Sequence, residues 1–561
     1  MLKQSPTRAW RLLALLIVAC PVVAQQVPSR GAVASAHPLA STAGVEVLAA
    51  GGNAFDAAVA VSAALSVVEP SGSGLGGGAF FLLRRARDEY SVMIDAREVA
   101  PGAAHRDMYL DARGEPIPDA SRDGALAAGI PGLPAGLAHV AENYGRLPLA
   151  TSLAPAIRYA REGFPARADY IDGLRRRSPT MNAAARAVFL PNGALPEEGE
   201  PVVQTELAAT LELLAARGAR GFYAGATAER LAGGVRAGGG IWTLEDLSRY
   251  TIVERTPLVG HYRGVEILSA PPPSSGGVAL LNMLNMLSAY ELPALDGVTR
   301  THLLAEVMRR AYRDRAELLG DSDFVAVPVE RLTHPYYAAG QRMTIRLDRA
   351  TPSADLPGIQ PRTLAQGNQT SHFSVLDREG NAVAVTQSIN FGFGSGFMAP
   401  QTGVLLNNEM DDFSIKPGEP NGYGLIGTEA NAIAPYKRML SSMTPTILRG
   451  EEGMALLGTP GGSRIITMVL LASLEWVDGG DAAAMVALPR FHHQYYPDVI
   501  AYERRALSSH DIVALQALGH DLRAVGRDYG DMHVVTWEYG SGGVGAASDP
   551  RGIGEPRFLG R

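Results

Sequence analysis

One change of pattern constrains this chain more than any other feature. From Ala350 to Gln369 the sequence is rich in proline, glycine and polar residues and has no periodicity, the composition of an exposed loop. Directly after it, Ser371 to Leu376, a turn at Asp377-Arg378-Glu379-Gly380-Asn381, and Ala382 to Ile389 read as a β-hairpin whose first strand opens at Thr370. Upstream, from about Arg30 to Glu254, helices predominate. Thr42 to Ala50 and Asn53 to Val68 are apolar at helical spacing, with Asn53 as N-cap and Asp56 three residues on. Val278 to Leu287 continues that pattern after the rigid turn Pro271-Pro272-Pro273-Ser274-Ser275-Gly276-Gly277. Downstream, β-type runs at Met443 to Leu448 and Met454 to Leu457, a helix over Ile465 to Trp476 and a strand near Val534 to Glu538 complete the pattern. A helix-rich part joined by a loop to a strand-rich part predicts a layered α/β fold. There is no internal repeat.

The 561 residues are 46% hydrophobic and 19% charged, enough apolar material for a large core and unlike a disordered chain. A formal charge of −7 without any lysine or arginine block excludes a nucleic-acid binder and points to small molecules or peptides as partners. Cys20 is the only cysteine, so no internal disulfide and no cysteine-based zinc site can hold the mature chain together. Metalloprotease, P-loop and serine-hydrolase signatures are absent. Gly72 to Gly77 matches a dinucleotide fingerprint in form only, because it follows a helical pattern instead of a strand. The pair His492-His493 has no ordered ligand spacing around it and reads as structural or surface. No metal and no cofactor are expected.

The first residues address the chain for export. Lys3, Arg8 and Arg11 precede the apolar run Leu12 to Ala19, which is too short to cross a bilayer at about 20 residues per span. Residues 1–24 read as a signal peptide cut after Ala24, giving a soluble periplasmic protein. Ile17-Val18-Ala19-Cys20 also has the form of a lipoprotein box, which would make Cys20 a lipid anchor.

Thr370 carries the chemistry. A threonine hydroxyl is a weak nucleophile at neutral pH and needs a base in reach; a free α-amine on the same residue, with a pKa of about 8, can serve. Gln369 occupies that nitrogen, so the mechanism requires a cut between Gln369 and Thr370. Asn368-Gln369-Thr370-Ser371-His372-Phe373 and the residues that follow resemble the processing site of the γ-glutamyltranspeptidases, N-terminal-nucleophile hydrolases with a four-layer αββα fold. The match extends through Gly51 to Ala58, Asp95 to Glu98, the Pro271 to Gly277 turn, Leu406 to Phe413, Leu440 to Met443, Gly461-Gly462-Ser463 and Ala547 to Arg551, all in family order.

The resemblance implies a division of roles. Thr370 is the nucleophile, Ser388 hydrogen-bonds near it, and the backbone N–H groups of Gly461 and Gly462 form the oxyanion hole. Arg97 holds the donor α-carboxylate with the hydroxyls of Ser441 and Ser442. Asn390, Glu409 and Asp412 accept from the donor ammonium. Pro417 to Gly427, with Tyr423, resembles a lid over the pocket. Autocleavage yields a large subunit, residues 25–369, and a small one, residues 370–561, which stay together as a heterodimer with one α/β body. The implied reaction is γ-glutamyl transfer from glutathione and other γ-glutamyl amides, through a threonyl ester, to water or to an amino acid or peptide amine. The sequence departs from the common pattern at Ser371, Ser388 and Met439, and Glu409 is glutamine in some members; none of these removes a required group. A glutaryl or cephalosporin-type acylase and an inactive exported scaffold are the alternative readings. Retention of Asn390, Glu409 and Asp412 speaks against the first, the intact Thr370, Ser388 and glycine set against the second.

Overall fold

The computed structural model describes residues 27–361 and 370–560. Two antiparallel sheets lie face to face. The first has seven strands in the order Glu555–Phe558, Ala32–Ser35, Ser371–Leu376, Ala382–Ser388, Gly78–Arg85, Tyr90–Ala96 and Val253–Arg255. The second has six, in the order Val544–Ser548, His533–Glu538, Gly453–Leu457, Thr446–Arg449, Val265–Ser269 and Leu258–Tyr262.

The period of two along each strand sorts side chains between two cores. Phe81, Leu83, Phe373, Val375, Val383 and Val385 pack under the helices Pro38–Ala49 and Ala54–Val68. Phe80, Leu82, Ala382 and Ala384 face the second sheet and share a core with Leu448, Leu456 and Val535. Helices Gly276–Leu287, Gly297–Leu318 and Ile465–Val477 cover that sheet from outside. The result is helix, sheet, sheet, helix, the four-layer arrangement the resemblance implies. Burial on both faces explains the unbroken apolar run Ala382 to Val385 in the second hairpin strand.

Both sheets draw strands from either side of residue 370. A cut at that point would therefore leave the two pieces bound by both sheets and both cores.

Local chemistry sets the element ends. Asn53 Oδ1 accepts from the amides of Phe55 and Asp56 while Asp56 Oδ2 accepts from the Asn53 amide, the reciprocal cap the sequence indicates. The hairpin strands form at Ser371–Leu376 and Ala382–Ser388, one residue after Thr370. The strand expected from Met443 begins only at Thr446, because the preceding backbone is engaged by the 271–277 turn: Ser274 Oγ donates to Met443 O and the Ser275 amide to Ser441 O. The stretch read as an exposed loop from Ala350 is anchored in its described part. Ser353 is fully buried, its amide donating to Asp498 Oδ2 and its hydroxyl to Tyr495 O, both at 2.7 Å. Serine there supplies buried hydrogen bonds instead of solvation. The glycines at 76 and 77 are required by close backbone approach, since a Cβ would stand 2.1 Å from Leu405 O and 2.0 Å from Ser388 O. The expectations for the signal segment, Cys20 and Gln369 fall outside the described residues.

Candidate active site

Thr370 stands at the head of a central strand of the seven-stranded sheet. The register that pairs Gln387 with Ser371 carries Ser388 opposite Thr370, and the two hydroxyl oxygens are 3.3 Å apart. Ser388 Oγ also accepts from the Asn390 amide at 2.7 Å. Asn390 has φ of +74°, a left-handed conformation that asparagine tolerates better than most residues. Its Nδ2 donates to Asn408 O, which fixes the amide plane beside the threonine.

Gly461 and Gly462 enter the helix Ile465–Val477 through the tight turn Gly462–Arg464. Their φ angles are +141° and +57°. A Cβ on Gly462 would sit 2.2 Å from the Tyr423 ring, and at Gly461 the positive φ itself disfavours any side chain. Tyr423 is itself locked in place. Its ring stacks on Phe391 with centroids 4.6 Å apart, and its hydroxyl donates to Asn390 O at 3.0 Å. The 417–427 loop thus sits over the glycine pair with a buried aromatic as its inner face.

Arg97 follows the last residue of the strand Tyr90–Ala96 and is buried. The short turn Glu409–Asp412 has three residues per repeat, which brings positions 409 and 412 onto one side. Arg97 donates to Glu409 Oε2 and to Asp412 Oδ2, each at 2.6 Å, and more weakly to Glu98 Oε2 at 3.5 Å. The sequence reading gave this guanidinium to a substrate carboxylate; here it is turned onto the two acids assigned to the ammonium. Arg97 faces three carboxyls, and among the described residues Glu98 Oε1 and Glu409 Oε1 have no hydrogen-bond partner. Burial alone would lower the Arg97 pKa, but the fields of Glu409, Glu98 and Asp412 outweigh it and hold the group above its ordinary value. Burial raises the Glu98 carboxyl to about 7 despite Arg97, and raises Glu409 well above the usual range, with Glu98 and Asp412 adding to the rise. Raised in this way, Glu409 favours its protonated form beside Asp412.

Ser441 and Ser442 face this cluster across the pocket. Ser441 is pinned by its amide to Pro273 O and by its carbonyl to Ser275. Ten of the eleven residues assigned a catalytic or substrate role line one small pocket: Arg97, Thr370, Ser388, Asn390, Glu409, Asp412, Tyr423, Ser441, Ser442 and Gly462. Gly461 lines a larger cavity on the other side of Thr370, which also borders it.

Three residues at the site escaped the sequence reading of roles. Arg315 is buried, lowered in pKa chiefly by burial, and donates to Ser275 Oγ at 3.0 Å and Ser442 Oγ at 3.3 Å. It sits in the last turn of Gly297–Leu318, where a basic residue is common, and nothing local marks it. Glu69 accepts from Ser371 Oγ at 2.7 Å beside Thr370, its carboxyl pushed up to about 8 by burial, with Asp531 and Asp169 contributing. Glu98 is the third; its adjacency to Arg97 was the available signal.

His492 and His493 are buried and bonded, His492 to Thr467 and Gln494, His493 to Arg309 and Asp498. His302, Glu306 and His520 bring three ligand-type atoms within 4.8 Å of one another. Glu306 is already gripped by Arg309 and Arg310, and His302 by Arg346 O and His520, so these groups are spent on structure.

A strand-borne threonine between two stacked antiparallel sheets, each covered by helices, defines the fold class of the N-terminal-nucleophile hydrolases. A family model described as Gamma-glutamyltranspeptidase matches residues 40–558, and the chain belongs to that family. It is 42% identical to the glutathione hydrolase proenzyme of Escherichia coli (strain K12), over 95% of this chain and 92% of that protein. Among solved structures it is similar to a cephalosporin acylase from Bacillus halodurans, with a TM-score of 0.82 and 27% identity over 99% of this chain and 98% of that one. It is also similar to the γ-glutamyltranspeptidase of Helicobacter pylori, with a TM-score of 0.57 and 40% identity over 58% of this chain and 94% of that one.

Proposed function

We propose that the chain is an autoprocessed γ-glutamyl hydrolase and transferase acting on glutathione and related γ-glutamyl amides. The observation that carries this is the acid cluster beside Thr370: a buried guanidinium gripped by Glu409 and Asp412, with Glu98 Oε1 and Glu409 Oε1 lacking a hydrogen-bond partner among the described residues. A γ-glutamyl donor brings the missing pieces. Its ammonium supplies the second positive charge between Glu409 and Asp412, with the Asn390 side chain close by. Once those acids turn to the ammonium, the Arg97 fork is released for the α-carboxylate, which the Ser441 and Ser442 hydroxyls also meet.

Maturation begins when the Thr370 hydroxyl attacks the Gln369 carbonyl: the C–N bond breaks as the ester to Oγ1 forms, which frees the α-amine, and water then hydrolyses that ester to release the Gln369 carboxylate and the Thr370 hydroxyl. The amine then takes the hydroxyl proton as Oγ1 attacks the donor γ-carbonyl. The N–H groups of Gly461 and Gly462 receive the oxyanion, each such donor contributing roughly 3 kcal/mol to transition-state stabilisation. Ser388 orients Thr370 Oγ1 for the attack. Collapse expels the amine, and water or another amine releases the γ-glutamyl ester. The two products of the cut, residues 25–369 and 370–561, remain a heterodimer because both sheets span it.

The similarity to a cephalosporin acylase raises a second reading, transfer of a glutaryl group. Glutaryl lacks an α-amine and would leave the carboxyls around Arg97 uncompensated, so the γ-glutamyl reading is preferred. We further propose export to the periplasm; no helix among the described residues is long and apolar enough to cross a membrane. Palmitate labelling lost in Cys20→Ser would replace this with a lipoprotein.

The deciding experiment incubates purified protein with γ-glutamyl-p-nitroanilide and with glutaryl-p-nitroanilide, with and without a dipeptide acceptor, alongside mass spectrometry of the chain. Cleavage before Thr370, its loss in Thr370→Ala and preference for the γ-glutamyl substrate are expected. An intact active chain, or faster glutaryl turnover, would overturn the proposal.

A further inference from the structure

Arg315 is a buried cation without a counter-ion. Arg84, Arg97, Arg309, Arg310 and Arg490 are buried too, and each meets a carboxylate. Arg315 makes no ion pair among the described residues; its Nε and Nη2 donate to the neutral hydroxyls of Ser275 and Ser442, at 3.0 and 3.3 Å. Burial lowers its pKa, with Arg97 adding to the fall and Tyr312 and Asp412 opposing it. A guanidinium keeps its charge nonetheless. Two serine hydroxyls could be held by a neutral side chain without that desolvation cost, so packing alone does not require the charge.

The direction of the hydrogen bonds shows where the charge is aimed. Ser275 Oγ gives its proton to Ser441 O at 2.7 Å and takes the Arg315 N–H in return. Ser442 Oγ accepts from Arg315, and Ser441 Oγ accepts from the Met443 amide at 3.1 Å. Among the described residues neither of these two hydroxyls gives its own proton away. Both serines line the small pocket with Arg97, Thr370 and Asp412, and Arg315 stands behind them. Two hydroxyls that each accept from the protein and still hold a proton are set to donate, and the guanidinium behind them favours an anionic acceptor.

We propose that Arg315 is a positioning residue of the donor pocket: through Ser442 directly, and through Ser275 and the Ser441 backbone, it turns both serine hydroxyls toward the donor α-carboxylate and supplies buried positive charge to it. The proposal rests on the γ-glutamyl reading of that pocket. Arg315 does not touch the donor; it sets the proton direction of groups that do. The consequence is a trade of stability against recognition. Before a donor binds, the cation is a desolvation cost, so an apolar side chain of similar length leaves the protein at least as stable. Once the donor binds, that same side chain leaves its carboxylate with one guanidinium fewer and with less firmly oriented hydroxyls.

The test compares the parent, Arg315→Met, Ser442→Ala and the double variant, with γ-glutamyl-p-nitroanilide and its α-carboxamide analogue as donors and no added acceptor. Arg315→Met should mature, keep or raise the denaturant midpoint, and lose about thirtyfold in kcat/KM on the γ-glutamyl donor, mainly through KM. On the carboxamide the loss should stay within about threefold, and in the Ser442→Ala background Arg315→Met should cost only about threefold further on the γ-glutamyl donor. Equal losses on the two donors, a loss that adds in full to that of Ser442→Ala, or an unchanged kcat/KM overturns the proposal. If Arg315→Met is not recovered folded, Arg315→Gln, which keeps a donor for Ser442 without the charge, carries the same comparison of donors. A parent that turns over neither donor overturns the γ-glutamyl reading itself, and this shows before any variant is compared.

Discussion

Two buried charge clusters in this protein look alike in composition and differ in completeness. Around Glu306, two guanidiniums share one carboxylate: Arg309 and Arg310 both donate to it, the Thr351 amide adds a third donor, and the outer faces of the arginines are taken by Ser353, Asp498, His493 and Thr344. Around Arg97, three carboxyls share one guanidinium, and among the described residues Glu98 Oε1 and Glu409 Oε1 are left without a partner. A satisfied cluster holds helices together; an unsatisfied one stores a desolvation cost that a ligand of the right charge can offset. Burial does not tell these two clusters apart; the number of unmet partners does.

The comparison breaks most sharply under substitution of its two centres. Glu306→Ala should lower stability by about 4 kcal/mol, the scale for removing one partner of a buried ion pair, while the folded fraction keeps its kcat/KM. Denaturant unfolding with parallel kinetics measures both, and Glu306→Gln separates charge from packing. Next, Arg97→Ala should mature normally, because self-cleavage uses a covalently held carbonyl, yet lose about 3 kcal/mol of transition-state stabilisation, roughly a hundredfold in kcat/KM. Normal maturation with near-parental turnover would show that Arg97 does not bind the donor. Glu409→Gln should cost less, about tenfold and mainly in KM, since Asp412 still faces the ammonium and the amide oxygen still accepts.

The smallest effect lies in pH. Burial lowers His492 and His520 to about 3 and His493 to about 4, so these groups are neutral when folded and protonate more readily when unfolded, near 6.5. Their contribution is present above about pH 6.5 and is lost as pH falls toward 3 or 4. Glu98 has the opposite sign: raised to about 7, it favours the folded state at low pH, and that contribution is lost as pH rises from about 4.5 through 7. Melting temperature should therefore fall on both sides of a maximum, and Glu98→Gln should flatten only the alkaline side, by a few degrees. Flattening on the acid side instead would contradict the assignment.

What the sequence determined is everything local or carried by a motif. The Asn53 cap, the hairpin after Thr370, the helix from Ile465 and the glycine pair follow from spacing and from residues whose conformation is restricted by their own chemistry. The site residues were legible because they stand in contiguous strings, Asp95 to Glu98 and Leu406 to Phe413, whose order resembles a known family. Tertiary structure decided what lies far apart in the chain. Arg315 reaches Ser442 across 127 positions, and Glu69 reaches Ser371 across 302, from helical segments in which neither residue is distinguished. It decided that Ser353 is buried, although its neighbours read as loop. It also decided that Arg97 pairs with Glu409 and Asp412, because which charges are left unmet depends on how many groups converge in space, and no one-dimensional pattern counts that.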